Sequence, residues 1–347
     1  MTGGSVWRAP GPPWQRRPRA TGLPGSCRRC KEGGDPGGLA PSTGRMPMDR
    51  RDFLKTAAKA AAAAQVGAAV LTKGSEAAVE QKNGRFKKAI VLGMVQGEMS
   101  TPDRFKLARD CGFEGIEVPP PMTPEAIADV QKAVHESGIP AHSVIFGGWG
   151  KPLSHPDPAV RRQGLEDLKT ALKGAKEIGA DGLLLVPAVV NKETRYVDAY
   201  RRSQEGIRQA LDLAASLKVR INIENVWNKF LLSPLEFARY IDELRSPWVR
   251  AYFDVGNVID FGWPEDWIRT LGDRIVKVHL KDFRRDGRKW VPLGEGDADY
   301  PEVRRALDQV KYSGWLTCEL PAGDEAYLKE VARRVDRIIA GQNPVEA

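Results

Sequence analysis

From residue 88 onward the chain repeats one pattern eight times, a short apolar run followed by an amphipathic stretch of helical length. The apolar runs are continuous rather than alternating, which is typical of strands covered on both faces. Eight such units in roughly 260 residues match the size of one closed barrel. The sequence therefore predicts a single α/β domain over residues 88–340, a (β/α)8 TIM barrel.

The boundaries of the units can be placed from apolar runs and capping residues. Thr123 before Pro124 and Ser233 before Pro234 are signals for a helix start. The predicted strands are 89–93, 115–118, 141–146, 182–186, 220–224, 249–254, 275–280 and 315–319. The predicted helices are 101–111, 124–137, 159–178, 195–216, 234–244, 265–271, 300–310 and 326–339.

A doubly wound open sheet is the rival architecture. It would normally carry a glycine-rich phosphate loop after its first strand. The segment that follows the first predicted strand here, Gly-Met-Val-Gln-Gly at 93–97, does not match that fingerprint. The barrel is therefore the preferred fold.

Charge is distributed unevenly along the chain. Residues 1–87 contain 16 Lys and Arg against 6 Asp and Glu, whereas residues 88–347 contain 37 against 39. The formal net charge of +8 thus belongs to the first segment, and the barrel itself is slightly acidic. A basic surface for nucleic acid is not expected on the barrel.

The first 78 residues form two regions. Residues 1–47 are rich in Pro, Gly and Arg without apolar periodicity, which predicts a disordered leader. Met48 or Met46 is the expected true start. Residues 48–78 contain Arg50-Arg51 followed by Phe-Leu-Lys and an Ala-rich stretch, which resembles a twin-arginine export signal. That stretch is too short and too weakly apolar for a stable membrane span. We expect export through the twin-arginine machinery to the periplasm or beyond.

Four polar residues stand at or near the ends of successive predicted strands, namely Glu224, Asp254, His279 and Glu319. Each closes a mostly apolar run, and active sites of such barrels lie at the carboxyl ends of the strands. Three carboxylates and one imidazole suit a hard or borderline divalent ion such as Mn²⁺, Mg²⁺, Co²⁺ or Zn²⁺. The sequence predicts that all four bind one metal ion.

The segments around these residues resemble a known family. They read Ile-Glu-Asn-Val-Trp-Asn at 223–228, Phe-Asp-Val-Gly-Asn at 253–257, His-Leu-Lys-Asp-Phe at 279–283 and Cys-Glu-Leu at 318–320. They are similar to motifs of the xylose-isomerase-like barrel superfamily, in its sugar phosphate isomerase and epimerase branch. The resemblance runs from about residue 88 to 339 and does not specify a substrate.

The resemblance implies a mechanism. One divalent ion, most often Mn²⁺, would bind the carbonyl and an adjacent hydroxyl oxygen of the substrate and would stabilise an enediolate. Glu224 and Glu319 would exchange protons on opposite faces of the sugar, while Asp254 and His279 would mainly hold the ion. Related proteins often form dimers or tetramers, so a homo-oligomer is implied as well.

Further residues are candidates for contact with the substrate: Arg285, Asn257, His142, Lys281 and Trp227. Arg285 lies six residues after His279, where related epimerases place a substrate-binding Arg, and Lys281 has pairing with Asp282 as its alternative. His142 is equally well explained as a buried structural residue. Glu117 closes the second strand; capping of the next helix is the preferred interpretation, and contact with the cavity is the alternative.

Asn257 departs from the family pattern, which commonly has a histidine there, and this leaves the exact substrate open. Export favours an unphosphorylated ketose, a keto-glycoside or a cyclitol-like polyol. Two alternatives to an isomerase or epimerase stay open: a lyase or dehydratase on a keto-sugar or inosose, and a non-catalytic carbohydrate-binding barrel. An endonuclease-like phosphodiesterase is disfavoured, because the barrel is acidic and has only four histidines.

Overall fold

A computed structural model describes residues 85–346. The predicted leader and export signal, residues 1–47 and 48–78, lie outside the described residues. Within residues 85–346, no helix is long and apolar enough to cross a membrane.

Eight parallel strands close into a barrel in the order β1-β10-β7-β6-β5-β4-β3-β2. The chain alternates these strands with helices, and β8 and β9 form a separate antiparallel hairpin after β7. The strands are β1 (Phe86–Val91), β2 (Gly115–Val118), β3 (Ala141–Gly147), β4 (Gly182–Leu185), β5 (Arg220–Glu224), β6 (Val249–Asp254), β7 (Ile275–Leu280), β8 (Asp282–Arg284), β9 (Lys289–Val291) and β10 (Gly314–Cys318). The predicted TIM barrel is confirmed.

The helices pack around the outside of this barrel. Numbered in chain order they are α1 (Thr101–Asp110), α2 (Pro124–Ser137), α3 (Pro158–Glu177), α4 (Tyr196–Arg208), α5 (Leu211–Leu217), α6 (Pro234–Glu243), α7 (Gly256–Ile259), α8 (Pro264–Leu271), α9 (Tyr300–Gln309) and α10 (Glu325–Ile339). The 195–216 stretch, predicted as one helix, is divided into α4 and α5. The short helix α7 and the β8–β9 hairpin were not predicted.

Capping residues define the starts of helices as the sequence indicates. The Thr123 hydroxyl accepts the Ala126 N–H at the start of α2, and the Ser233 hydroxyl accepts the Glu236 N–H at the start of α6. Gly138 ends α2 with a φ of 77°, a left-handed conformation that glycine adopts at little cost. These caps fix where each helix begins and ends relative to the strand beside it.

The apolar core lies mainly between the barrel wall and the surrounding helices. Among the described residues, a second and smaller apolar cluster contains Leu184, Val186 and Tyr252. Interiors of such barrels are dominated by bulky branched residues. Here polar side chains fill much of the interior, including Glu117, His142, Asn222, Lys277 and Thr317, all buried.

Candidate metal centre

The four predicted ligands come together at the carboxyl ends of four adjacent strands. Glu224 ends β5, Asp254 ends β6, His279 lies one residue before the end of β7, and Glu319 follows β10. The register places Asp254 opposite His279. One ligand atom from each of the four residues can be chosen so that all lie within 4.8 Å of one another.

The imidazole of His279 lies at the centre of this cluster. Its Nδ1 is 2.9 Å from Glu224 Oε1, 3.0 Å from Glu319 Oε2 and 3.8 Å from Asp254 Oδ2. Glu224, Asp254 and His279 are buried, whereas the Glu319 side chain is 35% exposed. Glu319 is therefore the ligand that opens toward solvent.

The donor set fits a divalent ion. The Oδ1 atom of Asp254 accepts the N–H of Asn257 at 2.8 Å, whereas its buried Oδ2 accepts no hydrogen bond. That Oδ2 lies 3.1 Å from the Lys281 ammonium and 3.8 Å from His279 Nδ1, and Lys281 Nζ is also 2.6 Å from Glu319 Oε2. A buried carboxylate oxygen without a hydrogen bond is costly unless a cation neutralises it. Three carboxylates and one imidazole nitrogen are therefore available to such an ion.

The cluster separates the proton affinities of its two glutamates. Burial raises the pKa of Glu224 to about 7. Burial also acts on Glu319, but Lys281 and His279 outweigh it and hold the pKa of that carboxyl well below its usual range. Two carboxyls with opposite shifts can serve as proton donor and proton acceptor in one site.

His279 and Lys281 supply the positive charge. Burial opposes protonation of His279, but the carboxylates of Glu117 and Glu319 raise its pKa well above the usual value. Burial likewise opposes the charge on Lys281, and Asp254 and Glu319 outweigh it, so that the pKa of Lys281 is raised. Lys281 pairs with these two carboxylates instead of Asp282, the alternative considered from the sequence.

Glu117 was assigned mainly to helix capping, and this was wrong. Thr123 caps α2, while Glu117 Oε2 lies 2.7 Å from His279 Nε2 inside the barrel. The hydroxyl of Tyr252 lies 3.2 Å from the same oxygen. Contact with the cavity was the alternative considered for Glu117, but its partner His279 on β7 is 162 residues away and left no local signal.

A model of one protein family, described as xylose isomerase-like TIM barrel, matches residues 105–338, more than half of the chain. The closed eight-stranded barrel agrees with that description. The chain belongs to the xylose isomerase-like TIM barrel family.

Curated relatives of this xylose isomerase-like barrel are about equally distant from it. The putative L-ribulose-5-phosphate 3-epimerase UlaE of Shigella dysenteriae serotype 1 is 28% identical, over 71% of this chain and 92% of the relative. The L-ribulose-5-phosphate 3-epimerase UlaE of Escherichia coli O157:H7 is 27% identical over the same shares.

Solved structures share the fold of this family member at lower identity. A D-psicose 3-epimerase solved in the presence of D-fructose superposes with a TM-score of 0.63 at 20% identity, covering 74% of this chain and 99% of that one. A 3-keto-D-glucoside 4-epimerase from E. coli gives a TM-score of 0.63 at 17% identity, with the same coverage.

Two predicted substrate contacts lie beside the cluster of this xylose isomerase-like barrel. The Asn257 side chain donates to the Asn225 backbone carbonyl at 2.9 Å, and the Asn257 backbone carbonyl accepts from Trp227 Nε1 at 2.8 Å. Asn225 in turn donates to the Asp254 carbonyl and accepts the Asp254 N–H. These bonds hold Asp254 in place, and substrate contact by Asn257 and Trp227 stays a prediction.

The structure places the other two predicted contacts differently. Arg285 donates to the carbonyls of Ile259 and Gly262 and stacks on Trp263. His142 is buried inside the barrel, stacked on Trp315 at 4.4 Å, with both ring nitrogens near partners. Protein contacts therefore hold both side chains, and contact of His142 or Arg285 with a substrate stays a prediction.

An aromatic group of Trp227, Phe283 and Trp290 borders the metal centre. The three rings are 5.1–5.2 Å apart, and Trp290 is partly exposed. Lys281 Nζ, which pairs with the Asp254 and Glu319 carboxylates, lies 5.6 Å from the Trp290 ring centroid. An aromatic face next to polar ligands is suited to the apolar face of a sugar ring.

Proposed function

We propose that this protein is a divalent-metal-dependent epimerase or isomerase of a ketose or a related carbohydrate. The observation that carries the proposal is the cluster of Glu224, Asp254, His279 and Glu319 at four adjacent strand ends of a family barrel. Curated relatives named as ketose-phosphate 3-epimerases support the reaction class.

The two glutamates are the proposed acid–base pair. A divalent ion held by the four residues supplies Lewis acidity, with Mn²⁺ as the preferred metal and Mg²⁺, Co²⁺ or Zn²⁺ as alternatives. Glu319, held ionised beside Lys281, accepts the proton from the carbon next to the substrate carbonyl. Glu224 returns a proton to the opposite face of the substrate. The roles exchange when the reaction runs in reverse.

Asp254 and His279 have positioning roles in this proposal. Asn225 and Asn257 fix the Asp254 backbone and Oδ1, so that its Oδ2 stays directed into the cluster. His279 presents Nδ1 to the same space. Neither residue needs to transfer a proton.

An unphosphorylated substrate is the preferred class. The loop that follows β9 has the sequence Gly-Glu-Gly-Asp at 294–297, and its amides are already used. The N–H groups of Gly294, Gly296 and Ala298 donate to the Asp282 carboxylate. A phosphate group would have to compete with this internal carboxylate for the same donors.

Solvent exchange tests the reaction. The protein is incubated in D₂O with Mn²⁺ and a panel of free ketoses, phosphorylated ketoses and 3-keto-glycosides, and deuterium next to the carbonyl is measured by mass spectrometry and NMR. We expect exchange with a free sugar that falls by at least about 100-fold in Glu224→Gln and in Glu319→Gln. Glu98→Gln, an exposed glutamate after β1, is the matched control and retains exchange.

The outcomes separate the alternatives. Exchange that persists in both glutamine variants contradicts the acid–base pair. Loss of water from the substrate instead of epimer formation indicates a lyase or dehydratase. Bound Mn²⁺ without exchange on any sugar indicates a carbohydrate-binding barrel, and the absence of stoichiometric metal in the protein rules out the site.

We also propose that the protein is exported by the twin-arginine machinery. The proposal is supported by Arg50-Arg51 and the Ala-rich segment after it. Replacing both arginines with lysine is expected to keep the protein inside the cell, as measured by fractionation and immunoblotting. Unchanged export of that variant contradicts the proposal.

A further inference from the structure

A continuous chain of polar side chains crosses the inside of the barrel. It begins at Asp181 beside β4 and ends at His279 in the metal centre. Between them its members come from β7, β3, β10, β6 and β2, which include strands on opposite sides of the barrel. In order they are Asp181, Lys277, His142, Thr317, Tyr252, Glu117 and His279.

The first half of this polar chain is centred on a buried lysine, Lys277. Lys277 Nζ lies 2.7 Å from Asp181 Oδ1 and 3.2 Å from His142 Nδ1, and it donates to the His142 carbonyl at 3.1 Å. His142 Nε2 lies 3.3 Å from Thr317 Oγ1. Lys277 is only 2% exposed, so that these partners replace the water around its ammonium.

The second half reaches the proposed metal ligand. The Tyr252 hydroxyl lies 3.1 Å from Thr317 Oγ1 and 3.2 Å from Glu117 Oε2. Glu117 Oε2 lies 2.7 Å from His279 Nε2. Glu117, Tyr252, Thr317 and His279 are completely buried, and no alternative solvent contact competes with these bonds.

Donor and acceptor roles along the first bonds follow from the protons that each group carries. An ammonium can only donate, so His142 accepts at Nδ1 and carries its proton on Nε2. His142 Nε2 then donates to Thr317 Oγ1. The Tyr252 hydroxyl donates toward Thr317 Oγ1 and Glu117 Oε2, and its single proton is shared between these two acceptors. Glu117 Oε2 lies 2.7 Å from His279 Nε2, so one proton lies between these two atoms. With that proton on Nε2, Nδ1 is the ring nitrogen that faces the other carboxylates of the cluster.

We propose that Glu117 and Tyr252 are positioning residues that fix the ring orientation and the tautomer of His279. This inference rests on the proposed function only in that it concerns a ligand of the same metal centre. Glu117 accepts the His279 Nε2–H, and Tyr252 holds the Glu117 carboxylate toward that ring. Carboxylates that accept the second N–H of a metal-binding histidine commonly affect metal affinity by about 10–100-fold.

The polar chain also explains why the barrel interior departs from an apolar filling. A buried network rigidifies its members when each donor has an acceptor. An apolar residue in place of Tyr252 would leave Glu117 with one donor fewer and free to rotate. The interior thus provides a support for the metal centre in addition to its packing role.

Variants at Glu117 separate hydrogen-bond acceptance from charge. Glu117→Leu removes the acceptor, and we expect the Mn²⁺ dissociation constant, measured by electron paramagnetic resonance titration, to rise by about 10–100-fold. Glu117→Gln keeps an oxygen for His279, and its amide can occupy the Oε1 position, where the described residues provide no hydrogen bond. We expect the Mn²⁺ dissociation constant of Glu117→Gln to stay within several-fold of the native value. That of Tyr252→Phe should lie between the values of Glu117→Gln and Glu117→Leu.

Ser143→Ala is the matched control. Ser143 is buried in β3 directly opposite Glu117, and its hydroxyl has no hydrogen-bond partner among the described residues. We expect no change in Mn²⁺ affinity for this variant. Circular dichroism melts of every variant show whether the fold is retained.

A second measurement reads the tautomer without requiring activity. In protein labelled with ¹⁵N-histidine, we expect a proton on His279 Nε2 both without metal and with Zn²⁺ bound, with Nδ1 bound to zinc in the second case. An unprotonated Nε2 in the native protein overturns the inference, as does native Mn²⁺ affinity in a folded Glu117→Leu variant or an equal loss in Glu117→Gln. If the native protein binds no metal, the proposed function fails, while the Nε2 proton still decides this inference.

Discussion

At the scale of single residues, the site depends on how burial changes proton affinity. Glu224 and Asp254 are both buried, and burial raises the pKa of each carboxyl. Glu319 lies beside Lys281 at the open side and has a lowered pKa. Similar carboxyl groups thus acquire different chemistry from positions a few ångströms apart.

The raised pKa of Glu224 predicts how metal affinity depends on pH. Below pH of about 7 a proton occupies this carboxyl and competes with the metal, so affinity increases as the pH rises toward that value. We expect the Mn²⁺ association constant to change by at least about tenfold per pH unit between roughly pH 5 and 7. Calorimetric titration at several pH values measures this, and a constant affinity over that range contradicts it.

The raised pKa of Glu224 also predicts how the stability of the metal-free protein depends on pH. A carboxyl whose folded pKa exceeds its unfolded value of 4.5 stabilises the fold below that value, and this contribution is lost as the pH rises through about 7. Glu224→Gln should remove this part of the dependence. Urea unfolding of both proteins across that pH range, without metal, provides the comparison.

At the scale of elements, the segments after the strands shape the site more than the strands do. The β8–β9 hairpin carries Phe283 and Trp290 to the edge of the metal centre. The Asp282 carboxylate anchors it by accepting N–H groups from the loop after β9. The hairpin packs against α7, which starts at Gly256, two residues after the end of β6.

Gly256 permits this close packing, and its replacement should be costly. A Cβ atom at Gly256 would lie 2.5 Å from Lys281 Cβ and 2.9 Å from Trp290 Cζ3. We expect Gly256→Ala to lower the free energy of unfolding by about 1–3 kcal/mol, because the added methyl group displaces both side chains. Urea titration measures this loss.

Gly93→Ala is the control for that prediction. A Cβ atom at Gly93 would meet no atom within 4 Å. Its substitution should therefore change the free energy of unfolding by less than about 0.5 kcal/mol. Equal effects of the two substitutions would contradict the proposed packing constraint.

At the scale of the whole molecule, closure of the barrel makes the first strand as important as the last. β1 pairs with β10 on one side and with β2 on the other. The ligand-bearing strands β5, β6, β7 and β10 form one continuous half of the barrel wall. Loss of β1 would leave β10, and hence Glu319, at an open edge.

Two truncations test this dependence. Removing residues 1–78 leaves every described strand and should leave the melting temperature and metal affinity unchanged. Removing residues 1–91 deletes β1 and should abolish the cooperative melt, because two neighbouring strands lose their hydrogen-bonded partner. Circular dichroism melts and size-exclusion chromatography are applied to both truncated proteins. A cooperative melt in the protein that lacks residues 1–91 would show that closure through β1 is dispensable.

The sequence alone determined the architecture and predicted which four residues form the candidate metal cluster. Eight repeated units predicted the barrel, and the polar residues that end apolar runs predicted Glu224, Asp254, His279 and Glu319 as neighbours. This works because strand ends recur at regular intervals and parallel strands bring those ends to one edge. Local signals and a simple topological rule are sufficient for both.

Only the tertiary structure decided which side chains support that cluster. The pairing of Glu117 with His279, of Lys281 with Asp254 and Glu319, and of Lys277 with His142 joins residues far apart in the chain or across the barrel. Such contacts depend on barrel closure and strand register, and no periodicity in the sequence encodes them. Long-range geometry therefore determines how the metal centre is oriented and charged.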